Sequence, residues 1–295
     1  MGNKTRPRVD SEDRELMRMI AIYGFVDMCF VYKFYKVGKK QETVERRILQ
    51  LAQYGYLQIR RTYIPQDYTL DARTGYKAIT LGKVGLQAMH VAGYPVTDYR
   101  DTLRNAAPYR VYHQVQVATV CECMKRNFNQ SADSKFKITR ILSEKESCLP
   151  KRTNQPDGII LLERKDRDLK GNIAIFIEVE RSYASKDRIH SKLSSYATAF
   201  DENAYSRHLK IPIIAQRVLF ISQTDMQIET IHKKIEQSPH AKEIEILTTK
   251  YTDVCERTLE EVYKQPVHNY TYRLLQNMNK HEKDNNVGKP EMSTT

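Results

Sequence analysis

Along residues 11–23, SEDRELMRMIAIY, the apolar positions Leu16, Met19, Ile20 and Tyr23 recur on one stripe at helical spacing. Asp10 or Ser11 stands where an N-cap belongs, with acids in the first turn. A second helical segment is expected at about 25–35. Over 41–54, Val44, Ile48, Leu51 and Ala52 form another stripe, while Arg46, Gln50 and Gln53 point the opposite way with Arg47 at their flank. Near Gly55 the period changes from helical to extended. Residues 56–64 read as a strand ending at Pro65, 66–74 as a polar loop, and GYKAITLGKVGLQAM as a second strand running into a helix from about Thr80. Helices followed by strand, loop and strand are the order of a winged helix-turn-helix, expected over 10–92. Residues 93–108, GYPVTDYRDTLRNAAP, carry two prolines and a glycine and read as a linker.

The remainder predicts a second domain over 109–277: helix 110–128, strands 135–144, 158–164 and 172–180, helix 185–200, strand 217–222, helix 225–237, strand 243–249 and helix 252–264. That order, αβββαβ with an added αβα, gives a mixed α/β (α+β) sandwich. Residues 278–295 have almost nothing to bury and read as a disordered tail.

Composition narrows the function classes. A net charge of +12, densest before residue 108, points to an anionic partner, with nucleic acid the commonest. No apolar run is long enough for a membrane span and no secretory signal opens the chain, so a cytoplasmic protein is expected. The five cysteines are scattered, and Cys121 and Cys123 lack the spacing of a zinc knuckle, so reduced core thiols are expected. On the winged helix, Arg46, Arg47, Gln50 and Gln53 are candidate DNA-reading residues, and Arg60, Arg61, Arg73 and Lys77 are candidate phosphate contacts of the wing.

The chemistry concentrates at IFIEVER. Side chains alternate along a strand, so Glu178 and Glu180 share a face, and two buried carboxylates need compensation. One compensator is a cation from Arg181, Arg188 or Lys192. The other is a metal: a hairpin would bring Asp157 of QPDGII beside the two glutamates, an oxygen-rich site of the kind Mg2+ or Mn2+ occupies in phosphodiester hydrolysis. Glu122, on a partly apolar helix face, is a fourth candidate ligand. Lys192, on a stripe with Arg188 and Tyr196, is placed to reach a scissile phosphate or a metal-bound water. His113 reads as a core or cap histidine.

Asp157 in PDG, the strand IFIEVER and the element order resemble the PD-(D/E)XK nuclease fold. That resemblance implies Asp157 and Glu178 as metal-binding acids, with Glu180 where the motif has lysine and Lys192 or Lys186 of the next helix taking the lysine's role. With the winged helix, YHQVQVATV and the later Lys192 and Tyr196 pair, the chain resembles the replication-relaxation family of plasmids and mobile elements over about residues 10–225. The resemblance implies binding of double-stranded DNA at an origin of replication or mobilisation. It also implies nicking by a relaxase-like, Mg2+- or Mn2+-dependent endonuclease built on Asp157, Glu178, Glu180 and Lys192, together with other replication or conjugation proteins or a second copy as partners. The competing expectation is a non-enzymatic regulator or relaxosome accessory protein on a degenerate nuclease fold.

Overall fold

The computed structural model describes residues 7–64, 73–94, 106–132, 134–150, 154–165, 171–180, 184–266 and 271–275. The expected wing loop, most of the expected linker and the expected tail lie outside the described residues.

The N-terminal unit runs α1 (Ser11–Tyr23), β1 (Val26–Asp27), α2 (Met28–Phe34), α3 (Gln41–Gln53), β2 (Leu57–Ile64), β3 (Arg73–Leu81) and α4 (Lys83–Val91). Its antiparallel sheet has the order β1-β3-β2. Asp10 caps α1, accepting from the Asp13 N–H while the Asp13 carboxylate accepts from the Asp10 N–H, a reciprocal box. The second helix starts later than 25 because Val26 and Asp27 pair with Ile79 and Ala78, after which the Asp27 side chain caps α2 at the Phe30 N–H. The helix expected from about Thr80 starts at Lys83, because Thr80 and Leu81 stay paired with Gln58 and Leu57. Gly82 and Gly85 allow α4 to lie on the preceding backbone: a Cβ would stand 2.3 Å from the Gly55 carbonyl oxygen at the first and 2.1 Å from that of Tyr56 at the second.

The rest is a mixed α/β layer structure. It comprises α5 (Pro108–Gln130), β4 (Phe136–Ser143), β5 (Gly158–Arg164), β6 (Asn172–Glu180), α6 (Lys186–Asp201), α7 (Ala204–Leu209), β7 (Ile213–Ser222), α8 (Asp225–Glu236), β8 (Ile246–Lys250), α9 (Tyr251–Glu256), β9 (Tyr263–Lys264) and β10 (Thr271–Tyr272). The seven strands take the order β10-β9-β8-β7-β6-β5-β4, with β6, β7 and β8 parallel and the outer pairings antiparallel. Strands β5 and β6 are near-continuous apolar runs because both faces of the sheet are covered. Ile160, Ile175, Ile177 and Leu219 pack with residues of α5, whereas Ile159, Phe176, Val218 and Phe220 pack with residues of α6 and α8.

The helix expected over 252–264 stops at Glu256. Beyond it the Thr258 hydroxyl donates to the Val254 carbonyl, and Tyr263 and Lys264 join the sheet edge, Lys264 opposite Thr248. Edge pairing satisfies the backbone that a longer helix would have satisfied itself, and it buries Tyr263 completely.

One core runs through both units. The cluster holding Leu16, Ile20, Val44, Ile48 and Ile79 also holds Ala118, Met124, Ile175 and Leu219. Polar ties reinforce the junction: the Tyr23 hydroxyl donates to Glu122 at 2.9 Å, and Arg126 donates to the Lys33 carbonyl at 3.2 Å.

Candidate functional site

In the antiparallel β5–β6 pair Gly158 stands opposite Ile177, so Asp157, one residue earlier, stands across from Glu178 on the same face of the sheet. The Asp157 N–H donates to the Ile177 carbonyl at 3.0 Å, and the Val179 N–H donates to Asp157 Oδ2 at 2.7 Å. Alternation along β6 puts Glu180 on that face as well. All this follows from the strand period and the short hairpin.

Helix α6, capped by Ser185, presents two residues one turn apart to these acids. Lys192 Nζ donates to Glu178 Oε2 at 2.5 Å and to Glu180 Oε1 at 2.6 Å, and the Tyr196 hydroxyl donates to Glu178 Oε1 at 2.6 Å. Glu178 is 1% exposed and Glu180 2%. Arg188, exposed, stands 3.7 Å from Glu180. Lys186 is exposed in the first turn. Lys192, then, is the α6 lysine that meets both acids.

A histidine completes the cluster. His113 Nε2 lies 2.8 Å from Asp157 Oδ1. Helix α5 turns the stripe His113, Val117, Cys121 toward the start of β5, where a Cβ on Gly158 would touch Cys121 and Val117. His113 was read from sequence as a core or cap histidine; it lies on the same i, i+4, i+8 stripe as Val117 and Cys121, one of several apolar stripes on this helix.

The electrostatics separate the carboxylates. Burial works against ionisation of Asp157, but the His113 and Lys192 charges and the hydrogen bonds hold it down at about 2. Burial, with the Asp157 charge opposite, pushes Glu178 up to about 7 despite the Lys192 ammonium and Tyr196. Lys192 is raised, because the three acids outweigh its burial, and Tyr196 is raised by burial and by Glu178. Near Glu180 the register places Ser222, whose buried hydroxyl has no hydrogen-bond partner among the described residues, and the same holds for His113 Nδ1 and Gln223 Nε2.

Asp157 and Glu178 are the two acids that the β5–β6 register sets across from each other. Mg2+ is commonly held by one or two carboxylates and otherwise by water, so the pair fits, and a cation there would favour ionised Glu178. The four-acid cluster expected from sequence is not assembled: among the described residues no three His, Cys, Asp or Glu side chains gather in a ready metal site. Glu178 and Glu180 both accept from Lys192. Glu122 sits nine residues along α5 from His113, about 13 Å at 1.5 Å per residue, and is held by Tyr23 and, at 3.8 Å, by Lys125.

A cleft of about 910 Å³ reaches Asp157 and His113 between α1, α5, β4 and the turn after β4. Elsewhere, α3 exposes Arg46, Gln50 and Gln53, but Arg47 is turned inward. It donates to the buried Asp13 carboxylate, at 3.2 Å through Nε and more closely through Nη2, and to the Arg8 carbonyl at 2.7 Å. On the hairpin Arg61 and Lys77 stand opposite each other, both exposed, while Arg60 donates to the Ala106 carbonyl at 2.6 Å. The Arg73 side chain is outside the described residues.

No family model matches the chain, so the resemblance to replication-relaxation proteins rests on its motifs alone. No curated protein matches either. Among solved structures, restriction endonuclease FokI is similar at 12% identity and a TM-score of 0.29 over 86% of this chain and 44% of that one. FokI bound to DNA is similar at 10% identity and a TM-score of 0.27 over 86% and 45%. This chain spans less than half the length of those structures, and scores at that level establish neither fold nor function. Among the described residues no helix is long and apolar enough to cross a membrane.

Proposed function

We propose that the chain is a DNA-binding protein of a plasmid or other mobile element, acting in replication or mobilisation. In this reading the N-terminal unit is a winged helix that grips duplex DNA, and the sheet domain cuts one strand. The observation that carries it is the Lys192 ammonium, 2.5 Å from Glu178 and 2.6 Å from Glu180, across from Asp157. A lysine beside paired acids at a strand end is the set of groups that phosphodiester hydrolysis uses. Asp157 and Glu178 would hold Mg2+ or Mn2+, which when bound activates water and offsets charge on the phosphate. Lys192 orients both glutamates and is placed to meet a phosphate oxygen; Tyr196 fixes the Glu178 carboxylate; His113 and the Val179 N–H fix Asp157.

The same lysine supports a second reading. It neutralises Glu178 and Glu180 from within, as it would in a degenerate fold kept as a binding surface. A nicking assay on supercoiled plasmid with Mn2+ separates the two. Cleavage by wild type, lost in Asp157→Ala and Lys192→Ala, is the enzyme's outcome; plasmid left supercoiled by all three proteins is that of the non-enzymatic regulator.

A further inference from the structure

We propose that the cleft beside Asp157 takes an unpaired nucleic-acid strand and leads it to the site. This rests on the DNA-binding reading and adds the state of the strand that reaches the acids.

Size and rigidity carry the first part. A volume of about 910 Å³ lies at the upper end for a ligand site, room for a few nucleotides in single file and far too little for a duplex. The walls cannot part to admit one. They belong to the two units that share a core, and the Tyr23 to Glu122 bond on the cleft's lining and the Arg126 to Lys33 bond hold the units together. A duplex gripped by α3 and the hairpin must therefore present a separated strand before this route to Asp157 is open.

The lining carries the second part. Arg110, Lys125 and Arg140 face the cleft, each with a carboxylate neighbour no closer than 3.4 Å and each at least one-third exposed. Such loose surface pairs contribute little and exchange readily for a phosphate. The half-buried Tyr94 offers a ring for a base to stack on. Gln114 Oε1 and His113 Nδ1, both on the wall, are buried without a hydrogen-bond partner among the described residues. Cations and an aromatic ring along one narrow cleft are what single-strand binding uses.

The test measures fluorescence anisotropy with two labelled probes, a short oligothymidylate and a hairpin-closed duplex, on wild type, Arg110→Ala/Arg140→Ala and Arg46→Ala/Gln50→Ala. The cleft variant is expected to bind the oligothymidylate about tenfold more weakly, with its log–log salt slope reduced by about 1.4 for two lost phosphate contacts, and to keep its duplex affinity. The α3 variant should do the reverse. A cleft variant that binds oligothymidylate as wild type does, or that loses both probes equally, overturns the proposal while leaving DNA binding intact. Wild type that binds neither probe overturns both. Matching thermal melts show that the exposed substitutions leave the fold unchanged.

Discussion

Glu178 and Asp157 face each other across one strand pair yet respond to acid in opposite senses. Glu178 holds its proton more tightly folded, at about 7, than unfolded, at its ordinary 4.5. Its contribution to stability is therefore fully present below about pH 4.5 and is lost as pH rises through 7. Asp157, held at about 2 against an ordinary 3.8, contributes above that ordinary value and loses it as pH falls toward 2. Melting temperature should decline for wild type between pH 5 and 7.5, and Glu178→Gln should flatten that decline; an unchanged slope would show that another group produces it. At this scale the acids were legible, since alternation and the PDG turn suffice to bring Asp157 to Glu178. His113 and the tie between Tyr23 and Glu122 were not. Both depend on which stripe of α5, apolar nearly all round, faces β5: the His113, Val117, Cys121 stripe is one of several that the helical period allows.

The helix bearing Arg46 and Arg47 shows how an element's sequence misleads about individual side chains. Both arginines look like readers of DNA, but Arg47 lies on the edge of the buried stripe and pairs with Asp13, which is fully buried and also accepts from the Tyr35 hydroxyl at 2.5 Å. Removing Arg47 strands that carboxylate, at a cost of about 3 kcal/mol, the low end for an uncompensated buried charge. Denaturant melts should show Arg47→Ala destabilised by that much and Arg46→Ala by less than about 0.5 kcal/mol; equal losses would remove Asp13 as the reason. Strand and helix boundaries were legible wherever the period is strong, as in β6, read at 172–180. They failed after Glu256, where a place at the sheet edge outweighed a local helical pattern, and around Val26, where two residues of strand pair with β3 inside what looks like helix.

For the whole molecule, composition and element order indicated two units, and each has its own sheet. What they did not indicate is the shared core, because the contacts between α1, α2 and α5 join residues about a hundred positions apart. A chain organised this way should unfold in one cooperative step. Scanning calorimetry is expected to give a single transition whose van't Hoff and calorimetric enthalpies agree; two resolved transitions would show that the junction is weaker than its packing indicates.

The shared core has one more consequence. Because α3 and α5 pack into that one core, the proposed nicking function would make the molecule a ruler, with α3 and Asp157 at a constant separation. Base pairs inserted into a gripped DNA would carry the chemistry to a new phosphate at the same distance from the grip, leaving the old one untouched.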